Sequence, residues 1–369
     1  MAKLPSSAYV GAGVAGTLLV GAALKRRNGS VVQIPDFSTR QVKPHYFFEK
    51  EDTPSDNPTL GIGWGGGGRK FVVSAAVVEY LEKHLLTEDG LVRDFEAIVK
   101  SGGLPGVMYR ALLIPYLKRS GIYEGRTPAQ ELKRILVENQ KLFDYGATGN
   151  VKFSPVYDFF ERFFHDMNME DNPHSYIVVH HVEGERNIVL GDEIKDFPMW
   201  KAAVATISME PAFHPIDHDG QHYGDGGYDK ASPLIELCGH SDLTHRILVH
   251  LGLHKVGKHQ PKDPSRANGV IRHIRTIEER THPQRVFKEK SILNYDLLDK
   301  TGLSLEQIMR HEDPNLMLLD PNIGHVTFYD KGLPFELWVH GFEEAEASAN
   351  AHALAHPDLQ ARVERSMPR

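Results

Sequence analysis

The chain has 369 residues, 41% hydrophobic and 25% charged, which excludes low-complexity disorder and a multi-span membrane protein and leaves enough apolar sequence for a sizeable core. Lys plus Arg number 42 against 49 Asp plus Glu, a net charge of −7, so the chain is a poor candidate for a non-specific nucleic-acid binder. Its single cysteine, Cys238, excludes an intramolecular disulfide and cysteine-based zinc sites.

Tyr9 to Leu24 carry no charge and are followed at once by Lys25, Arg26 and Arg27. The run is shorter than the roughly 20 residues that span a bilayer core. Its charge follows the apolar stretch, whereas a cleaved signal carries charge before it. A membrane anchor with the main domain on the cytoplasmic side, a secretory signal and a surface or disordered leader all stay open. Residues 31–57, rich in Pro, Asp, Lys and Ser, read as a linker.

Regular structure begins near Thr59. Leu60 and Ile62 alternate with glycine, predicting a short strand that runs into a glycine-rich loop. Ser74 to Leu86 has helical spacing through Val77, Val78, Leu81 and Leu85. Phe95 to Val99 reads as a buried strand, and the helix after it holds Pro105 in its first turn, where proline is tolerated. Pro128 to Lys141 is an amphipathic helix. Ile177–Val182 and Asn187–Leu190 read as a hairpin around Glu183–Arg186, and Trp200–Ala205 as a helix. Ile247–Leu251 is a later strand, Phe342–Leu354 a helix, and a second short helix follows Pro357. Strands alternating with helices predict an α/β fold with a largely parallel sheet.

The stretch Gly61-Ile-Gly-Trp-Gly-Gly-Gly-Gly-Arg-Lys70 lets backbone N–H groups crowd around one point. As a P-loop it lacks the Lys and the Ser or Thr after Gly68. As a dinucleotide fingerprint, Gly61, Gly63 and Gly66 match, but the acidic residue due at the end of the next strand is missing. Glu79 and Glu82 fall inside the predicted helix instead. A plain turn and an oxyanion cradle also stay open.

A cradle needs a nucleophile. Ser101 stands where the strand ending at Lys100 meets the next helix, the layout of a nucleophile elbow. An ordinary Ser-Gly-Gly turn is the plainer reading of that stretch. Asp225 precedes two glycines, in a tight turn that exposes carboxylate oxygens, and it is ionised at neutral pH.

The order Gly65–Arg69, Ser101, then Asp225-Gly-Gly227 with Pro233-Leu234 behind resembles the patatin-like phospholipase family over roughly residues 59–250. The resemblance implies a three-layer α/β/α sandwich with a mainly parallel central sheet, and a Ser–Asp dyad without a catalytic histidine. It makes Ser101 the nucleophile and Asp225 the base. The amides of Gly65, Gly66, Gly67 and Gly68, with Arg69 beside them, become the oxyanion hole. It also implies lipid ester substrates at a membrane surface, and neither cofactor nor metal. Val99 stands where the elbow has its first glycine, and Lys70 where the family has glycine after the arginine. A silent patatin-like protein and a nucleotide binder using Gly61–Gly68 are the alternatives. The expected division is a hydrophobic segment over 1–30, a linker over 31–57, a catalytic domain over 58–345 and a helical tail over 346–369.

The chain has 21 histidines. His214, His218 and His222 recur every four residues, but Pro215 and Gly220 argue against a shared helix face, so a polar loop is expected there rather than a metal site. His180 and His181 on one strand face opposite ways. Arg272, His273 and Arg275 read as a solvated basic stretch.

Overall fold

The computed structural model describes residues 60–65, 71–85, 104–117, 126–143, 153–172, 175–208, 214–228, 245–251, 293–320 and 337–357, together with Ser291 and Phe335. In chain order its elements are β1 (Leu60–Trp64), α1 (Phe71–Leu85), α2 (Leu104–Leu117), α3 (Pro128–Glu138), α4 (Phe153–Phe164), β2 (Ile177–His181) and β3 (Arg186–Leu190). Then come α5 (Met199–Ala205), β4 (Ile216–His218), β5 (Gln221–Asp225), β6 (His245–Val249), α6 (Leu305–Met309), β7 (Leu316–Leu319) and α7 (Leu337–Ala355). Residues 293–301 are also helical. The fold is mixed α/β.

The order β1-β6-β7 forms a parallel sheet, with Ile62 opposite Ile247 and Ile247 opposite Met317. Ile62, Trp64, Ile247, Leu248, Val249 and all of β7 are buried, as strands of a parallel sheet covered on both faces must be. Leu248, Leu316 and Leu318 form one apolar cluster with Leu293, Leu297, Leu305 and Ile308. α7 packs against β7 and along α1.

α1 is apolar nearly all round, which requires burial on every side, and it is packed by α2, α3 and α7. It begins three residues before the predicted Ser74 because Phe71, Val72 and Val73 are already in helix. α7 passes so close to α1 that a Cβ on Gly341 would sit 2.7 Å from Val73 Cγ1. The ring of the next residue, Phe342, meets Tyr80 edge-on at 5.5 Å. Trp338 and Phe342 are both fully buried, and truncating either to alanine costs about 3–5 kcal/mol. The helix continues unbroken past residue 345, because Ala345, Ala349 and His352 extend its buried face.

α3 starts with a capping box. The Thr127 hydroxyl accepts from Gln130 N–H, the Gln130 side chain accepts from Thr127 N–H, and Pro128 fills the first turn. The predicted continuation to Lys141 is a separate 3-10 turn, Gln140–Phe143.

A second sheet, antiparallel, runs in the order β3-β2-β5-β4. β2 and β3 are the predicted hairpin, with Val179 opposite Ile188. β4 and β5 correct the loop expected around His218 and His222. Asp219 and Gly220 both have positive φ, 52° and 74°, the two-residue hairpin turn that Asp-Gly favours. α5 packs on β2, β4 and β5, and α4 packs on α5. No helix among the described residues is long and apolar enough to cross a membrane; the uncharged run over residues 9–24 lies outside them.

Candidate active site

β5 ends in Asp225, opposite Val179 of β2, and runs directly into the 3-10 turn Gly226–Tyr228. Gly226 is required by space, and Gly227 is a tight fit. A Cβ on Gly226 would lie 2.7 Å from the Val178 carbonyl oxygen, and one on Gly227 would lie 3.1 Å from Asp225 Oδ1. The turn is tied from two sides. Asn187 Nδ2 donates to the Gly226 carbonyl at 2.8 Å, and Asp225 N–H donates to the Ser208 carbonyl at 3.1 Å. Ser208 is itself buried, its hydroxyl donating to the Val204 carbonyl at 2.8 Å, so the end of α5 sets the height of Asp225.

The Asp225 carboxyl accepts one hydrogen bond among the described residues, from Gly227 N–H to Oδ1 at 2.8 Å. Burial raises its proton affinity to about 6, and that single amide pulls the other way. An acid tuned to that range is ionised at neutral pH yet basic enough to accept a proton.

The neighbouring polar groups are paired. His222 donates its backbone N–H to Glu183 Oε2 at 2.9 Å, and its Nδ1 lies 2.6 Å from Oε1. These contacts hold the Glu183 carboxyl down at about 2 and raise the His222 imidazole. His181 Nε2 reaches Gln221 Oε1 at 3.0 Å, and its ring stacks on Tyr223 at 5.3 Å. His180 turns the other way, with Nδ1 3.4 Å from Asn187 Oδ1, as strand alternation predicts. His218 packs on the Phe197 ring at 4.3 Å, while His214 is exposed. The three regularly spaced histidines thus do three different things. Among the described residues no group of three His, Cys, Asp or Glu could hold a metal ion.

Gly65 lies just beyond β1, its N–H donating to the Val249 carbonyl at 2.6 Å. A Cβ there would meet that oxygen at 3.2 Å and His250 Cδ2 at 3.4 Å. His250 N–H in turn donates to the Leu319 carbonyl at 2.9 Å. Gly65, His250 and Asp320 therefore continue one row across the carboxyl edge of the parallel sheet, the edge at which open α/β sheets present ligands. His250 and Asp320 are both buried. Neither is among the candidate residues read from the sequence, where His250 falls inside the predicted strand Ile247–Leu251; the signal that could have found them is that each is the first polar residue after an apolar strand.

Ser101, Gly66, Gly67, Gly68 and Arg69 lie outside the described residues, as do Val99, Lys70 and the predicted strand Phe95–Val99. The helix expected after Ser101 is present as α2, with Pro105 in its first turn. Cys238 and the basic stretch Arg272–Arg275 also lie outside.

Glu79 and Glu82 are inside α1 as read from the sequence, and both are buried. Glu79 accepts from Trp338 Nε1 at 2.7 Å and from Lys133 Nζ at 3.2 Å. Glu82 accepts from Ala129 N–H at 2.9 Å, in the first turn of α3. Neither is placed to hold a ribose.

No family model and no curated protein matches this chain. Among solved structures it is similar to VipD from Legionella pneumophila, with a TM-score of 0.35 and 13% identity, covering 80% of this chain and 67% of that one.

Proposed function

We propose that the chain is a lipid acyl hydrolase of the patatin-like kind, with Ser101 as nucleophile and Asp225 as general base. The observation that supports this best is Asp225 itself. It is a half-buried carboxyl on an Asp-Gly-Gly turn, with one backbone donor among the described residues and a proton affinity raised to about 6.

In this reading Asp225 takes the hydroxyl proton of Ser101 as the serine oxygen attacks an ester carbonyl. The amides of Gly65, Gly66, Gly67 and Gly68, with Arg69 beside them, receive the oxyanion, and one such donor is worth about 10²–10³ in rate. Collapse expels the alcohol, which takes the proton from Asp225. Water then attacks the acyl-enzyme, Asp225 accepts its proton, and that proton returns to the serine oxygen as the fatty acid leaves. Lipid esters at a membrane surface are the substrate class, and residues 58–345 are the catalytic domain. The dinucleotide alternative is disfavoured because Glu79 and Glu82 are committed to Trp338, Lys133 and Ala129.

A fluorophosphonate probe tests the proposal. The wild-type protein is expected to be labelled and to cleave members of a lipid ester panel, and Ser101→Ala to lose both. Labelling that persists in Ser101→Ala, or tight nicotinamide-cofactor binding without labelling, overturns it.

A further inference from the structure

We propose that His311, His352 and His356 form an acid-sensitive latch. It holds the last turns of α7 against the turn that enters β7, and releases them below about pH 6. His352 touches both of the other rings. His356 stands just past the end of α7, one turn after His352, with ring centroids 4.9 Å apart, and His311, from the opposing turn, lies 5.3 Å from His352. His352 is 2% exposed, and its Nε2 donates to the Pro314 carbonyl at 3.3 Å. That bond leaves Nδ1 as the lone-pair nitrogen. His352 Nδ1, His311 Nδ1 and His356 Nε2 are all buried without a hydrogen-bond partner.

Such a cluster is tolerable only while neutral. A proton on His352 would place charge in a buried site about 5 Å from two further imidazoles. The charged groups that act on His352 are His311 and His356, with the Pro314 carbonyl opposing them. The acidic residues nearby are otherwise placed. Asp313 Oδ1 accepts from Asn315 N–H at 2.8 Å, Glu312 is exposed, and Glu306 is paired with Arg310. Burial first, then the two neighbouring imidazoles, hold His352 down at about 4, and burial lowers His311 as well.

The sign follows from linkage. A histidine lowered in the folded state contributes stability that is present above its unfolded value near 6.5 and is lost as pH falls toward the folded value. The other end of α7 is fastened by contacts that do not involve imidazole: Trp338 to Glu79, Gly341 against Val73 and Phe342 on Tyr80. Acid therefore loosens one end of the helix and not the other. His352 alone makes the opened form about 30-fold more populated at pH 5 than at pH 7.5.

Hydrogen exchange on the full chain at pH 7.5 and pH 5.0, corrected for intrinsic rates, tests this. The expected result is a rise of about 30-fold in the opening of residues 345–357, with residues 337–344 unchanged. His352→Gln keeps a donor for the Pro314 carbonyl but does not titrate, and is expected to remove most of the rise. If that variant does not fold, His356→Gln is expected to weaken the rise severalfold. No acid response in the wild type, an equal response in the glutamine variant, or opening of 337–344 in step overturns the latch. Protection of 345–357 by zinc at pH 7.5 that His352→Gln abolishes also overturns it, in favour of a metal site.

Discussion

The helices over the parallel sheet bury carboxyl groups and the antiparallel sheet half-buries one, and the two layers treat them differently. In the helical layer, Glu79 is held by an indole N–H and an ammonium. Glu82 accepts from the Ala129 amide, and the neighbouring Thr127 and Tyr109 side chains also draw its proton affinity down. In the antiparallel sheet, Asp225 has one amide. Burial raises both Glu82, to about 7, and Asp225, to about 6, so proton affinity alone does not separate a structural acid from a working one. The donor set does. Glu79 and Glu82 join α1 to α7 and α3, whereas among the described residues the Asp225 carboxyl is bonded only within its own turn. The lesson is that a buried carboxyl with its lone pairs spoken for is part of the scaffold, and one left underserved is available for chemistry.

The sharpest way to break that comparison is Asp225→Asn. Hydrolysis is expected to fall by about 10²–10⁴, the worth of a general base. Its amide oxygen still accepts from Gly227 N–H, and the cost of a buried charge is gone. The melting temperature at pH 7.5 is therefore expected to hold or to rise by a few degrees. In the wild type, activity rises as pH climbs through about 6, because the base must be ionised. Unchanged hydrolysis in Asp225→Asn, or a matching collapse in stability, would place Asp225 with the scaffold acids.

Glu79→Ala is the mirror experiment. It strands the Trp338 N–H in the α1–α7 contact and takes the carboxylate from the Lys133 ammonium of α3, and breaking a buried pair from one side costs about 3–5 kcal/mol. Urea unfolding should show that loss while the rate per folded molecule stays the same. A specific loss of rate without loss of stability would show that the donor-set argument fails.

Much of the layout was legible in the sequence, for reasons that also explain what was not. β1, α2, the β2–β3 hairpin, α5 and α7 follow from local signals: alternation, a proline in a first turn, or spacing on one face. The β4–β5 hairpin carried a local signal as well, Asp219-Gly220, but Pro215 and Gly220 were weighed there only as helix breakers. α4 is not among the predicted elements, although Phe159, Phe160, Phe163 and Phe164 stand at helical spacing. The donors around the carboxyls are a different matter. Ala129 is 47 residues from Glu82, and Trp338 is 259 from Glu79, so no window of the sequence contains both partners. The same holds for Asn187, which fixes the Asp225 turn from 39 residues away. Motif reading locates the acid, and only tertiary structure counts what it is bonded to.

The smallest effect is the most diagnostic of how the two kinds of acid share the pH axis. Glu82 is raised in the folded state, so its contribution to stability is fully present below about 4.5 and is lost as pH climbs through about 7. Asp225 acts in the same direction over a lower range, from about 3.8 to about 6. His352 acts oppositely, losing stability as pH falls from about 6.5 toward about 4. Between about pH 5 and 6.5 these slopes oppose one another, and the wild-type stability is expected to be shallow there. Glu82→Gln keeps an acceptor for Ala129 N–H but no longer titrates. Its stability relative to wild type, from urea midpoints, should therefore grow by about 3 kcal/mol between pH 4.5 and pH 8. With that opposing slope removed, the acid-side loss from the histidine cluster should stand out in the same variant, and parallel curves for the two proteins would mean that Glu82 keeps an ordinary proton affinity inside the helical layer.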